Sequence, residues 1–153
     1  MPINKIRNYL DSHGVKYILV THSPAYTSQE VAASAHVSGK EMAKSVVVEL
    51  DGRKALAVLP ANRKIVIQDL REVTGCEDVK FVPEQDFKEL FPDCEIGAMP
   101  PLGNLYGMDV YVSPELADQQ EIAFNAGSHT DLIRMGYRDF EKLVQPRVMS
   151  FTT

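Results

Sequence analysis

The chain has 153 residues, enough for one domain of ordinary size. Hydrophobic residues make up 44% and charged residues 24%, with nine Gly and nine Pro, which excludes disordered and fibrous classes. Sixteen basic against twenty-one acidic side chains give a formal charge of -5, whereas a protein that clamps duplex nucleic acid is normally basic, so no DNA partner is expected.

Ile3, Ile6, Tyr9 and Leu10 recur at helical spacing with Gly14 beyond them, which predicts an amphipathic helix over 3–13. Val15 to Val20 reads as a short strand. Thr27-Ser28-Gln29-Glu30 fits a capping box, with Val31, Ala32 and Ala35 as the buried stripe of a helix ending near Gly39. Ser45 to Leu50, Asp51-Gly52, then Arg53 to Leu59 predicts a hairpin with a type I′ turn, because both central residues need positive φ. The unbroken apolar runs at 46–48 and 55–59 predict strands covered on both faces. Ile67, Leu70 and Val73 suggest a helix closed by Gly75, and Pro83 to Phe91 another stopped at Pro92. The last third is strand-rich, with strands at 109–112, 121–124, 130–135 and 148–151 and a short helix around Phe140, Leu143 and Val144. Without regular βαβ alternation this predicts an α+β domain around a mixed or antiparallel sheet, closure into a barrel being left open.

No repeat, linker or charge block divides residues 1–153, so a single domain is expected. No apolar run approaches the ~18 residues of a spanning helix, and the first residues carry no signal pattern. Cys76 and Cys94 make no disulfide framework. A cytoplasmic protein away from membranes is the expectation.

Three stretches stand out from scaffolding. Lys44 directly precedes a Val-rich strand; it is either an exposed flank or an ammonium fixed at a cleft mouth and directed at a phosphate or oxyanion. Gly97-Ala98-Met99-Pro100-Pro101-Leu102-Gly103 is a stiff loop, either a connection or a backbone wall that lets a ligand approach closely. Asn125-Ala126-Gly127-Ser128-His129 lies between two predicted strands; it is a turn, or it offers a His to orient or deprotonate a substrate. There is no Gly-x-Ser-x-Gly elbow, Walker loop or dinucleotide fingerprint. The four His and two Cys lack metal-ligand spacing, so neither metal nor cofactor is expected. A thiol hydrolase built on Cys94 and His129 has no local support.

In this order and at these separations the stretches resemble the YbaK-type aminoacyl-tRNA deacylases, the editing domain inserted in many prolyl-tRNA synthetases and its freestanding relatives. The matching residues are His22 before the Thr27 to Ala33 helix, Lys44 to Val48, Leu59-Pro60-Ala61-Asn62-Arg63-Lys64, Gly97-x-x-Pro100-Pro101-x-Gly103, and Gly127-Ser128-His129. The resemblance runs from about His22 to Phe140. It implies a mixed, largely antiparallel, six- or seven-stranded barrel-like sheet flanked by helices. It also implies hydrolysis of the ester on a mischarged tRNA, above all tRNA-Pro carrying alanine or another small residue. One missing methylene is worth only ~1–3 kcal/mol of discrimination, so a synthetase benefits from a second, hydrolytic pocket. The resemblance assigns Lys44, Gly97 and His129 to catalysis: Lys44 anchoring phosphate or ribose, Gly97 facing the carbonyl oxygen, His129 positioning amino acid or water. It assigns His22, Thr27, Pro100, Pro101, Gly103, Gly127 and Ser128 to substrate binding.

The implied partner is the acceptor end of aminoacyl-tRNA, met in trans, with a synthetase or elongation factor as a further partner. Arg53, Lys54, Arg63, Lys64, Arg134 and Arg138 offer either a basic rim or ordinary solvated surface. The competing readings are a non-catalytic module that binds aminoacyl or adenosine groups or docks on a synthetase, and a hydrolase of small esters.

Overall fold

The computed structural model describes residues 2–22, 29–30, 32, 35, 37–95 and 97–153. Helix α1 (Pro2–Ser12) buries Ile6 and Leu10 completely and ends where Gly14 takes φ +67°. Strand β1 (Tyr17–Thr21) follows, then the hairpin of β2 (Ala43–Leu50) and β3 (Arg53–Pro60). Asp51 and Gly52 have φ of 48° and 86°, as the Asp-Gly turn requires. Helix α2 (Ile67–Thr74) is closed by Gly75 at φ 71°, and β4 (Val79–Phe81) runs back along β2.

Beyond β4 come α3 (Glu84–Phe87), a 3-10 turn at Lys88–Leu90 and another at Gly103–Tyr106. Then follow β5 (Asp109–Val112), α4 (Pro114–Ala117), β6 (Glu121–Asn125) and β7 (Asp131–Gly136). Helix α5 (Tyr137–Val144) and β8 (Arg147–Val148) complete the order.

The α+β class and mostly antiparallel pairing match the expectation. The strand count differs: among the described residues there are eight, in two sheets ordered β1-β7-β6 and β4-β2-β3-β5-β8. Only β3–β5 and β5–β8 are parallel within the sheets. A parallel bridge between Met42 and Ala123 joins the sheets, with the Ala123 N–H donating to the Glu41 carbonyl at 2.9 Å.

Three apolar clusters follow from strand parity. One face of each sheet, carrying Val47, Leu56, Val112, Phe124 and Ile133, shares the main core with α1 and α5. The opposite face of β2 and β3, with Val48, Leu50, Ala57 and Leu59, packs under Leu70 of α2 and Phe151. Across the junction Val20, Leu132, Ala123, Met42 and Ala61 form a third cluster, covered by Ala32 and Val37 with Ala35 alongside. The hairpin is therefore covered on both faces, as its apolar runs predict.

Some expectations need correction. The strand expected at 148–151 is two residues of β8, after which Phe151 turns into the core and Thr152 bridges to Ile65. The helix expected from Pro83 to Phe91 is one short turn of α-helix and one of 3-10 helix, with only Phe91 of that stretch buried. The capping box cannot be assessed at Thr27 and Ser28, which lie outside the described residues; Gln29, Glu30 and Ala32 are helical.

Ala123 is fully buried where the sheets join. Ala123→Leu should overpack that junction and lower stability by about 1–3 kcal/mol in urea unfolding; an unchanged midpoint would mean the junction is loosely packed.

Candidate active site

Lys44 occupies the second position of β2, paired with Leu59 of β3. Alternation along the strand gives it the same face as Met42 on one side and Val46 and Val48 on the other. It thus stands between the cluster covered by residues 32–37 and the cluster covered by α2. Its Nζ is half-buried and donates to the Ala61 carbonyl at 3.5 Å, which Gln29 Nε2 also approaches at 3.2 Å. Among the described residues no carboxylate pairs with it. Burial, and then the nearby Lys64 charge, hold its ammonium below the ordinary lysine value.

The loop around Gly97 and the loop around Gly127 are stitched together. The Ala98 N–H donates to the Glu95 carbonyl at 3.0 Å, closing a turn whose third residue, Gly97, has φ +82°. A turn with positive φ at that position favours glycine. The Gly127 N–H donates to the Ala98 carbonyl at 3.0 Å, and the Glu95 N–H to the Gly127 carbonyl at 2.8 Å. A Cβ on Gly97 would sit 3.6 Å from His129 Cε1, so turn and imidazole are in contact. The His129 ring is buried, with Nε2 3.9 Å from Glu95 Oε2, and the same carboxylate lies 3.4 Å from the His129 N–H. His22 joins through its backbone, its N–H donating to the Thr130 carbonyl at 2.9 Å.

Other residues named from the sequence have structural partners. Ser128 Oγ donates to Asp131 Oδ2 at 2.8 Å and accepts from the Asp131 N–H at 3.0 Å, holding its own turn. Pro100 and Pro101 are buried. A Cβ on Gly103 would lie 2.6 Å from Val110 Cγ2 and 3.0 Å from the Met108 carbonyl oxygen, so what approaches this glycine is the core. Thr27 lies outside the described residues. The Cys94 thiol faces the Tyr106 hydroxyl at 3.5 Å and burial raises its pKa, which makes it a poor nucleophile.

The basic rim is smaller than the sequence suggests. Arg134 is ion-paired with Glu41 and Glu121, and Arg63 with Glu115, while of these rim residues only Lys64 is among the charges acting on Lys44. Next to the Gly127 loop a cavity of about 120 Å³ is lined by Asp93, Glu95 and Asp131 together with Ile3, Ala126, Gly127 and Ser128. The two flanks are opposite in sign: lysines on one side, carboxylates on the other.

Topology relates the flanks. The Met42–Ala123 bridge is parallel, and by alternation Lys44 follows Met42 on its face of β2 while Asn125 follows Ala123 on its face of β6. Asn125 leads directly into the Gly127–His129 loop. Asn125 itself was read from the sequence as a turn residue; it is the buried last residue of β6. Glu95 carried no sequence signal, since only the folded chain brings it to His129. No helix among the described residues is long and apolar enough to cross a membrane, and no group of three or more His, Cys, Asp or Glu among them is arranged to hold a metal.

A profile of the family described as aminoacyl-tRNA editing domain matches residues 22–143. The multifunctional Ser/Thr-tRNA deacylase ProXp-y of Escherichia coli (strain K12) is 24% identical over 147 residues, covering 93% of this chain and 87% of that protein. Among solved structures, the hypothetical protein APE2540 superposes with a TM-score of 0.87 at 20% identity, over 97% of this chain and 99% of that one. A candidate trans-editing enzyme for prolyl tRNA synthetase superposes with a TM-score of 0.84 at 17% identity, over 99% and 97% of the two chains. At these identities the superpositions establish a shared fold.

Gly103→Ala should lower stability by about 1–3 kcal/mol in thermal or urea unfolding, because the added methyl meets a backbone oxygen as well as a side chain. An unchanged midpoint would show that β5 yields without strain.

Proposed function

The chain belongs to the aminoacyl-tRNA editing domain family, and from that premise we propose that it acts in trans on tRNA mischarged with a small amino acid: alanine on tRNA-Pro, or serine or threonine. Its reaction is hydrolysis of an aminoacyl-tRNA ester, and its partner is aminoacyl-tRNA. The single observation that carries the finer reading is the half-buried Lys44, which has no carboxylate partner among the described residues and loses proton affinity through burial and then through the charge of Lys64. A cation held this way favours an incoming anion, and the acceptor end of tRNA supplies phosphates.

In this reading the terminal phosphate or ribose sits at Lys44 and Lys64. The ester carbonyl faces Gly97, and His129 holds the amino acid or the attacking water. Water adds to the carbonyl carbon, the bond to the ribose oxygen breaks, and that oxygen leaves protonated. The neighbouring ribose hydroxyl assists the water, so no protein nucleophile is required. The acidic flank suits the other end of the substrate: the α-ammonium is attracted toward Glu95 and Asp93, whereas a phosphate there would be repelled. Opposite charges on the two flanks would fix the direction in which the ester lies. A synthetase or elongation factor that delivers the tRNA belongs to the same proposal.

Purified protein incubated with alanyl-, seryl-, threonyl- and cysteinyl-tRNA should release at least one amino acid well above the buffer rate. Lys44→Ala should reduce that turnover by about 100-fold, the usual effect of losing one preorganised donor, with circular dichroism unchanged. Failure to hydrolyse any of these esters would refute the small-substrate reading. The pH profile gives a second check. Activity that needs the Lys44 ammonium falls as pH rises through its lowered pKa. Lys64→Gln removes a repulsion, raises that pKa and should move the alkaline limb to higher pH after spontaneous hydrolysis is subtracted. A limb that stays in place would contradict the role given to Lys44.

A further inference from the structure

Asn125 is a polar side chain that the mechanism above leaves unused. It is 6% exposed, and its Oδ1 has no hydrogen-bond partner among the described residues. Buried side-chain acceptors are nearly always paired in folded proteins, and an unpaired one opposes folding. Such an atom at the edge of a reaction site is explained by a donor that arrives with the ligand.

Its surroundings follow from the strand registers. Asn125 pairs with Leu132 of β7, which pairs in turn with Val20 of β1, so the three share one face. Ala123, two residues back, belongs to that face and bridges to Met42, two residues before Lys44. His22, two residues beyond Val20, extends the same face. The orphaned oxygen thus belongs to a face carrying Leu132 and Val20, at the end of β6 beyond the bridge that joins it to the start of β2.

We propose that Asn125 Oδ1 accepts a hydrogen bond from a neutral hydroxyl of the aminoacyl ester, an inference that rests on the deacylase reading. A neutral donor suits this oxygen: at 6% exposure the place is nearly dry, and an ammonium brought there without a carboxylate would be costly to desolvate. Phosphate and ester oxygens carry no donor. Within the ester two hydroxyls can donate: the ribose hydroxyl next to the ester, and the side-chain hydroxyl of a seryl or threonyl group; the attacking water is assigned to His129. In the second case the pocket is selective for hydroxylated amino acids, because an acyl group without the hydroxyl leaves the buried oxygen unpaired.

The test measures kcat/KM on seryl-tRNA and alanyl-tRNA for wild type, for two variants without the acceptor (Asn125→Leu, close in volume, and Asn125→Ala), and for Asn125→Asp, which keeps an acceptor oxygen. The acceptorless variants should lose about tenfold or more on seryl-tRNA. They should melt no lower than wild type by more than a few degrees, while Asn125→Asp recovers much of the rate. Equal loss on alanyl-tRNA identifies the ribose hydroxyl; loss on seryl-tRNA alone identifies the acyl hydroxyl. Unchanged rates on seryl-tRNA, or losses that track a falling melting temperature with no recovery in Asn125→Asp, would overturn the inference while wild-type turnover leaves the deacylase reading standing. A wild type inactive on both esters would remove the premise instead.

Discussion

The arrangement of this protein depends on one short pairing between sheets. Met42 and Ala123 bridge in parallel, and the hydrogen bond from Ala123 to Glu41 fixes how far β2 and β6 have advanced relative to each other. Because alternation along a strand has a strict period of two, that single register decides which side chains beyond the bridge share a face. Lys44 follows Met42 on its face of β2, and Asn125 follows Ala123 on its face of β6. A slip of one residue would turn Lys44 toward the main core, where a cation has no acceptable partner. Small residues make the approach possible: Ala123 and Ala61, with Ala32 over them, pack around Met42 without holding the strands apart.

Electrostatics divides the candidate site. On one flank burial, and then the charge of Lys64, hold the Lys44 ammonium below its ordinary value. On the other, three carboxylates line a small cavity beside the Gly127 loop. In the proposed reading, free energy otherwise lost in desolvating Lys44 is offset when an anion enters, and a visitor with ends of opposite sign suits the two flanks. An aminoacyl ester of a nucleotide has that character, with phosphate at one end and an ammonium at the other. The paired arginines, Arg63 and Arg134, contribute to holding loops and strands together rather than to this field.

What could be read from the sequence was mostly local. The Asp51-Gly52 turn is dictated by positive φ at both positions, and α1 and α2 by apolar spacing closed with glycine, so those elements emerged with nearly their observed limits. Strand β4 carries no legible signal because only Val79 of its three residues is buried, and the strand expected at 148–151 is overlong because Phe151 turns into the core instead of pairing. The site divides in the same way. Lys44 drew attention as a cation opening an apolar strand, and Gly97 and His129 as members of unusual loops. Gly103 resembles Gly97 in sequence but serves packing, a distinction that only the approach of Val110 reveals. Asn125, followed closely by a glycine, has the composition of a turn, yet it closes a buried strand; its importance arises from pairing with distant segments, which no local pattern records.

The most direct measurement is a crystal structure with a non-hydrolysable analogue of the aminoacylated CCA end, the ester oxygen replaced by NH. The account predicts a phosphate or ribose oxygen within hydrogen-bond reach of Lys44 Nζ, with the acyl carbonyl against Gly97 and beside His129 in the same cavity. An analogue bound away from Lys44, or bridging to Lys44 while Gly97 and His129 face solvent elsewhere, would contradict it.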